Sequence, residues 1–219
     1  TANRGDATSH IGVARDLVAV LNTRRNASLE IQYPQVAQLP QVNVTPISVE
    51  VENTEKAPRY SGLLLENVKV QPSPDWLQNK LRMVGIRPIN NVVDVTNYVL
   101  MEVGQPMHAF DADMVKGNRV VVKCLPQNTP FVTLDGVERK LNDCDLMICN
   151  SEEPMCIAGV FGGEKSGVSD ETTRVFLESA YFDAASVRKT AKQHGLKTDS
   201  SFRYERGCDP NVTVWAIRR

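Results

Sequence analysis

The stretch NRVVVKC (residues 118–124) decides the fold class, because the chain turns from mixed segments to strands there. Three consecutive valines bounded by a turn residue favour a strand. PFVTLDG and VERKL (130–141) then predict a hairpin around an Asp-Gly turn. Further strands are predicted in DLMICN (145–150), MCIAGVFGG (155–163) and RVFLESAYF (174–182). Few long helices separate these strands, which argues against a doubly wound parallel sheet.

Helices are predicted where apolar residues recur at helical spacing or where caps mark both ends. The predicted ranges are 5–22, 73–85, 90–104 and 183–195, and a last helix begins near Asp209 and Pro210. Asp6 or Thr8 is the expected cap of the first helix, and Ser73 that of the second. Residues 90–104 are ambiguous, because their β-branched residues favour a strand whereas their length and closing Gly104 favour a helix, which we prefer.

Short extended pieces complete the pattern. ISVEV (47–51) and SGLLLENVKV (61–70) are typical of strands, the second segment holding a buried strand and then an alternating one. The sequence therefore predicts an α+β fold. Its core is a mixed, largely antiparallel β-sheet curled into a pseudo-barrel and decorated with helices.

Composition excludes several classes of protein. The 219 residues carry a net charge of −1 and are 42% apolar, which is ordinary for a globular chain, so any RNA contact needs a local basic patch. Five cysteines show no CxxC spacing and only three histidines are present, which argues against a zinc site. With no membrane span or signal peptide visible, a cytoplasmic location is expected. The first residue, Thr1, and the helical end TVWAIRR indicate a piece of a longer protein.

Several common catalytic and nucleotide-binding motifs are absent from the sequence. GVFGGEKSG (159–167) is not a phosphate-binding loop, because Glu164 separates the glycines from Lys165. The chain has no GxGxxG after a strand and no GxSxG. Cys156 has no histidine near it in sequence, so a buried thiol is the better interpretation. The glycines of this stretch indicate either a turn or close approach of the backbone to a ligand.

The stretch QPMHAFD (105–111) poses the main functional question. His108 is a candidate base, metal ligand, recognition group or core histidine, and its apolar neighbours alone favour the core histidine. Glu178, in RVFLES, would point to solvent if the strand simply alternated. Thr96 and Asn97 read as cap groups, and Thr198 as the cap of the next segment. The residue types alone therefore leave the function open.

Longer stretches carry a resemblance that changes these interpretations. They are GIRPINNVVDVTNYVLMEVGQPMHAFD (85–111), AGVFGGEKSGVSDETTRVFLESAYFDAASVR (158–188) and HGLKTDSSFRYERGCDP (194–210). Together they closely resemble the B3/B4 region of the β subunit of bacterial phenylalanyl-tRNA synthetase. The resemblance implies an N-terminal helix and linker over 1–38, a B3/B4-like editing domain over 39–208 and the start of a further helix over 209–219.

The resemblance also implies a function. The parent enzyme is an α2β2 assembly that charges tRNA(Phe) with phenylalanine, using ATP and Mg²⁺ at a site on the α subunit, so no cofactor is expected in this chain. The B3/B4 module hydrolyses the ester of tRNA(Phe) mischarged with tyrosine. The expected partners are thus the mischarged tRNA and the α subunit. The alternatives are a non-catalytic tRNA-binding or subunit-assembly module, or a stand-alone amino-acid-binding protein.

The family's editing residues map onto this sequence by position. The mapped residues are Thr96, Asn97, His108, Gly159, Gly162, Glu178 and Thr198. The resemblance makes Glu178 the residue that recognises the tyrosine hydroxyl. It places His108 in the pocket, where we prefer a recognition role over that of a base that activates water. Ser200 departs from the family, since some members have alanine there, and its hydroxyl either narrows the pocket or adds a hydrogen bond. No metal ligand is expected.

Overall fold

A computed structural model describes residues 4–39 and 46–219, which form six helices and ten strands. The helices are α1 (His10–Arg25), α2 (Asp75–Met83), α3 (Asn91–Val103), α4 (Ala184–Gln193), α5 (Asp199–Tyr204) and α6 (Thr213–Arg218). The strands are β1 (Ser48–Val51), β2 (Arg59–Leu65), β3 (Met107–Asp111), β4 (Arg119–Cys124), β5 (Pro130–Val132), β6 (Glu138–Lys140), β7 (Leu146–Cys149), β8 (Pro154–Ile157), β9 (Phe161–Gly162) and β10 (Val175–Tyr181).

The strands pair into three sheets. The largest has the order β1-β4-β7-β8-β9, in which only β1 and β4 run parallel. A second sheet, β2-β10-β3, and the hairpin β5-β6 are antiparallel. The predicted α+β class with largely antiparallel pairing is therefore confirmed. The pairing gives three sheets rather than one, and no closed barrel is found among the described residues, so the curled pseudo-barrel stays a prediction.

One hydrophobic core lies between the sheets. Val120 and Val122 of β4, from the run of three valines, are fully buried in it. Phe110 of β3 and Phe176 of β10 enter the same core from the second sheet. Burial of such side chains contributes about 1.5–3 kcal/mol each, so this core holds the two sheets against each other.

Strand β10 is buried on both faces, which decides where Glu178 lies. Phe176, Glu178 and Ala180 face the main core, whereas Val175 and Leu177 face a smaller cluster. Since neither face of β10 meets solvent, alternation along the strand does not expose Glu178. The interpretation of Glu178 as a solvent-facing residue is therefore wrong.

Helix α3 ends at the glycine that its sequence predicts, and an asparagine caps its start. The Asn90 side chain accepts hydrogen bonds from the N–H groups of Val92 and Val93, and Gly104 ends the helix with φ +84°. The left-handed residue that ends a helix is usually a glycine. The preference for a helix over 90–104 is confirmed, and this helix carries Thr96 and Asn97.

Several predicted boundaries differ from the structure. The first helix begins at His10 behind the cap Ser9, not near Asp6 or Thr8. Ser73 does not cap α2, because its hydroxyl donates to the buried Asp94 carboxylate at 2.6 Å. Residues 66–70 form no strand, and 155–163 contain two short strands rather than one.

Two elements were missed, β3 and α5, and the last helix begins at Thr213 instead of near Asp209. The predicted domain boundary after residue 38 adjoins residues 40–45, which lie outside the described residues, as do residues 1–3. Helix α6 packs against β2 and β10. Within the described part of the chain, no helix is long and apolar enough to cross a bilayer.

Candidate functional site

A cavity of about 230 Å³ opens between α3, β3, the β8–β9 turn, β10 and the start of α5. All eight residues that the resemblance assigns to a binding site line it: Thr96, Asn97, His108, Gly159, Gly162, Glu178, Thr198 and Ser200. They come from five segments that are up to 104 residues apart in sequence. The fold therefore brings together residues that are far apart in sequence and that the resemblance alone had predicted to share a site.

The pairing of β10 with β3 positions the two main polar groups. Glu178 lies directly opposite His108 in the antiparallel register. Side chains at such positions share one face of the sheet, with Cβ atoms about 4.5–5.5 Å apart. The carboxyl and the imidazole thus reach the same cavity from adjacent strands.

Glu178 is buried, with 4% of its surface exposed. Its Oε2 accepts a hydrogen bond of 2.6 Å from the hydroxyl of Tyr60 on β2. Burial raises the pKa of Glu178 from 4.5 to about 7, and the Tyr60 hydrogen bond opposes part of that rise. Oε1 has no hydrogen-bond partner among the described residues. One of the two carboxyl oxygens is therefore available for a further hydrogen bond.

His108 is a half-buried histidine with one ring nitrogen unpaired among the described residues. Its Nε2 is buried and has no hydrogen-bond partner within the described part of the chain. Burial lowers its pKa from 6.5 to about 4, so the ring is neutral near pH 7. The Phe110 ring packs edge-on against it, with 4.5 Å between ring centroids. A core histidine with satisfied nitrogens is therefore the wrong description, since an unpaired buried polar atom costs about 1–3 kcal/mol.

Helix α3 contributes one occupied and one free polar group. The Thr96 hydroxyl donates to the Val93 carbonyl at 2.7 Å, so it is used within the helix. The half-buried Asn97 amide makes no hydrogen bond with any described residue. Asn97, rather than Thr96, is the residue of this pair that can donate to and accept from a ligand.

The glycines shape the cavity wall. Gly159 has φ +68° in the Ile157–Val160 turn, whose ends join through a 2.9 Å hydrogen bond, a conformation that favours glycine at this position. A Cβ on Gly162 would lie 3.1 Å from His108 Cε1 and 2.8 Å from Leu134 Cδ1. The glycines therefore form the turn that one interpretation expected and bring the backbone close to His108 and Leu134, while close approach to a ligand stays a prediction.

Thr198 and Ser200 close the cavity from the first turn of α5. Thr198 caps this helix, as its local sequence suggested, and its hydroxyl also bonds the Val160 carbonyl at 2.9 Å. The Ser200 hydroxyl donates to the Gly159 carbonyl at 3.2 Å. The departure at Ser200 therefore ties α5 to the glycine turn by an added hydrogen bond.

Among the residues that sequence reasoning missed are Leu134 and Tyr204, which line the cavity, and Tyr60, which bonds the Glu178 carboxyl. Tyr60 reaches Glu178 through the pairing of β2 with β10, across 118 positions. No local pattern in the sequence signals that pairing. Only the register of the sheet reveals the contact.

The other candidate groups have fewer features of a reactive or ligand-binding site. Burial raises the pKa of the Cys156 thiol well above its ordinary 9.0, which keeps it protonated. Within residues 4–39 and 46–219, no three His, Cys, Asp or Glu side chains lie together as metal ligands. A larger cavity of about 460 Å³ lies beside Phe131, but Asn150 and Ser166 in its wall are hydrogen-bonded to backbone carbonyls.

Comparison with known proteins gives consistent relatives. The model of the B3/4 domain family matches residues 56–219. The whole chain is 57% identical to a protein named phenylalanine–tRNA ligase beta subunit from Bacteroides fragilis, covering 27% of that protein. The same name belongs to relatives from Porphyromonas gingivalis (56% identity, 27% of that protein) and Bdellovibrio bacteriovorus (45%, 26%), each matched along the whole of this chain. The chain thus spans about a quarter of the length of these relatives.

Among solved structures, the chain matches an N-terminal fragment of the phenylalanyl-tRNA synthetase beta subunit from Pyrococcus horikoshii. The TM-score is 0.49 and the identity 16%, over 90% of this chain and 60% of that one.

Proposed function

The chain belongs to the B3/4 domain family, and from this premise we propose that it is the editing domain of a phenylalanyl-tRNA synthetase β subunit. In this proposal it hydrolyses the ester of tRNA(Phe) mischarged with tyrosine. Phenylalanine differs from tyrosine by one hydroxyl group, so the cavity must require that hydroxyl. A site built to bond a substrate OH rejects the analogue without it by roughly 10⁴–10⁵.

One observation carries the proposal. Glu178 and His108 line a single cavity, where Tyr60 bonds one carboxyl oxygen, Oε2, and the buried His108 Nε2 has no hydrogen-bond partner among the described residues. A phenol entering the cavity can donate a hydrogen bond to the carboxylate, and the phenol oxygen can form a second hydrogen bond with the imidazole. A phenyl ring would instead bury both groups unpaired, at a cost of about 1–3 kcal/mol for each group. The site therefore favours tyrosine over phenylalanine.

The proposed reaction needs little covalent machinery. Water adds to the ester carbonyl, the bond from that carbon to the ribose oxygen breaks, and the ribose oxygen takes up a proton. The products are free tyrosine and uncharged tRNA. The aminoacyl ester is already activated, so holding the water at the right distance and angle supplies much of the rate.

Two backbone and side-chain features fit this chemistry. No described group accepts the Gly159 N–H, which leaves it available to a developing oxyanion. A pKa of about 4 makes His108 a weak base at neutral pH, which supports its recognition role over a role in deprotonating the water. The terminal hydroxyl of the tRNA is the remaining candidate for assisting the attack.

The wider assembly is part of the proposal. The relatives are several times longer than this chain, and their shared name is that of an enzyme that joins phenylalanine to tRNA. We place this chain in such a β subunit, partnered by an α subunit and by tRNA(Phe). ATP and Mg²⁺ serve the synthetic site elsewhere, and the hydrolysis proposed here uses neither.

The test is a deacylation assay. The chain, and the α2β2 enzyme that contains it, are incubated separately with Tyr-tRNA(Phe) and Phe-tRNA(Phe), and ester loss is followed. Selective loss of tyrosine is expected, and Glu178→Ala should abolish the preference. Binding of RNA without any ester loss in either preparation would instead support a non-catalytic tRNA-binding module. Saturable binding of free tyrosine with no need for RNA would support an amino-acid-binding protein.

A further inference from the structure

Tyr60 holds the Glu178 carboxyl from beneath the cavity. Tyr60 lies on β2 two positions along from the residue opposite Glu178, and their side chains share one face of the sheet. The hydroxyl donates to Glu178 Oε2 at 2.6 Å, a short bond of the kind formed with charged acceptors. Burial first, and the Glu178 carboxyl second, raise the pKa of Tyr60, so the phenol stays protonated and donates.

We infer that Tyr60 is a positioning residue that sets the tyrosine specificity of the cavity, an inference that rests on the proposed function. Tyr60 occupies Oε2 and leaves Oε1 as the only carboxyl oxygen facing a ligand. The substrate phenol then completes a phenol–carboxylate–phenol chain. Bonds in such a chain strengthen one another in a low-dielectric interior.

The hydrogen bond from Tyr60 also restricts rotation of the Glu178 carboxyl. A carboxyl free to rotate could turn both oxygens toward other donors when phenylalanine enters, and the penalty for burying it unpaired would disappear. Because Tyr60 holds Oε2 in place, Oε1 cannot turn away from the cavity. The discrimination against phenylalanine therefore depends on a residue that lies outside the cavity wall.

Tyr60 further sets the ionisation of Glu178. Its hydrogen bond lowers the pKa of the carboxyl against the larger effect of burial. The other groups near Glu178 on the packed elements are His108, Cys156 and Tyr204, which burial keeps uncharged at neutral pH. Removing the Tyr60 hydroxyl should thus raise the pKa of Glu178 above its value of about 7 and leave it protonated at neutral pH.

The test uses Tyr60→Phe, which keeps the ring and its packing, with Tyr181→Phe on the same sheet as the matched control. In the α2β2 enzyme we expect the selectivity for Tyr-tRNA(Phe) over Phe-tRNA(Phe) to fall by about tenfold at pH 7, the range for one lost bond to a charged group. The loss should shrink at higher pH, where Glu178 ionises again. Tyr181→Phe should change neither.

A second readout separates the inference from the function. Carboxyl ¹³C NMR of this chain reports the Glu178 titration directly, and Tyr60→Phe should move its midpoint upward. An unmoved midpoint, with unmoved selectivity, would overturn the role of Tyr60 while Glu178→Ala still tests the proposed function. If the wild-type enzyme shows no tyrosine preference, the proposed function fails, and the role in specificity fails with it whatever the titration shows.

Discussion

Two buried polar groups, the Glu178 carboxyl and the His108 Nε2, destabilise the fold in a way that a structural role does not explain. Glu178 is buried with one oxygen free, and His108 has a buried nitrogen with no partner among the described residues. A protein that needed only a stable core would have apolar residues in both places, since unpaired polar groups destabilise the fold. In the proposed function, the tyrosine substrate supplies the missing hydrogen bonds to both groups.

The pKa of Glu178 rises from 4.5 to about 7 on folding, so the folded state binds this proton more tightly than the unfolded state. The stability it contributes is complete below pH 4.5 and is lost as the pH rises through 7, a change of about 3 kcal/mol. Glu178→Gln keeps the acceptor for Tyr60 and cannot ionise. Urea unfolding of both proteins from pH 4.5 to 8 gives the difference in their free energies of unfolding, which should move against the wild type by about 3 kcal/mol as the pH rises, because the opposite contribution of His108 is common to both and cancels. Parallel stability curves for the two proteins would mean that the carboxyl is solvated.

The pKa of His108 shifts in the opposite sense, from 6.5 down to about 4. Its neutral form is the one that the fold favours, so the stability it contributes is present above pH 6.5 and is lost as the pH falls toward 4. NMR titration of the ring should give a midpoint near 4. A midpoint near 6.5 would place the imidazole in water and remove it from the cavity wall.

At the scale of elements, the site depends on a helix and a turn whose ends are well specified. The length of the segment and its closing Gly104 are why α3 could be predicted despite its β-branched residues, and the structure adds the cap Asn90 at its start. Strand β3 could not, because Pro106 and His108 interrupt any strand pattern, and its pairing with β10 is stabilised by contacts remote in sequence. Helix α5 is six residues long, too short to give a periodic signal.

The cap of α3 should matter to stability as well as to the site. Asn90→Ala removes the acceptor for two backbone N–H groups, and the free energy of unfolding should fall by about 1 kcal/mol. Asn90→Asp retains an acceptor at the same position and should be close to the wild type. Chemical denaturation of the three proteins at one pH measures both effects. Equal losses in the two variants would show that Asn90 acts by something other than capping.

The glycine beside the imidazole should be sensitive to a single methyl group. Gly162→Ala places a carbon 3.1 Å from His108 Cε1, so the ring must move by a few tenths of an ångström. Misplacement of reacting groups by about 1 Å costs on the order of a hundredfold in rate, and we expect about a tenfold loss of deacylation here. Gly167→Ala is the matched control, since its new carbon meets only Leu134 at 3.7 Å. Equal rates for both variants would move the pocket elsewhere.

At the scale of the whole molecule, described residues of this one chain line the cavity, and the chain spans about a quarter of the length of its relatives. The eight site residues could be named because long stretches of sequence resemble a known family. Composition and periodicity alone left each of them with an ordinary structural role. Neither the resemblance nor the periodicity pointed to Tyr60, because its contact with Glu178 depends on how β2 is aligned with β10.

A net charge of −1 gives this chain little general attraction for RNA. We therefore expect the chain alone to deacylate Tyr-tRNA(Phe) with a much higher KM than the α2β2 enzyme, and with the same preference for tyrosine over phenylalanine. Steady-state kinetics on both preparations measure the two quantities. A chain that loses its preference as well as its affinity would show that other domains help to recognise the amino acid.

The most direct measurement is a crystal structure of this chain with a non-hydrolysable tyrosyl-adenosine analogue bound. The phenol oxygen should lie about 2.5–2.7 Å from Glu178 Oε1, in hydrogen-bond reach of His108 Nε2, while Tyr60 still holds Oε2. The phenylalanyl analogue should leave the cavity empty under the same conditions. A tyrosine ring bound elsewhere, or bound here with its hydroxyl turned away from Glu178, would contradict the account.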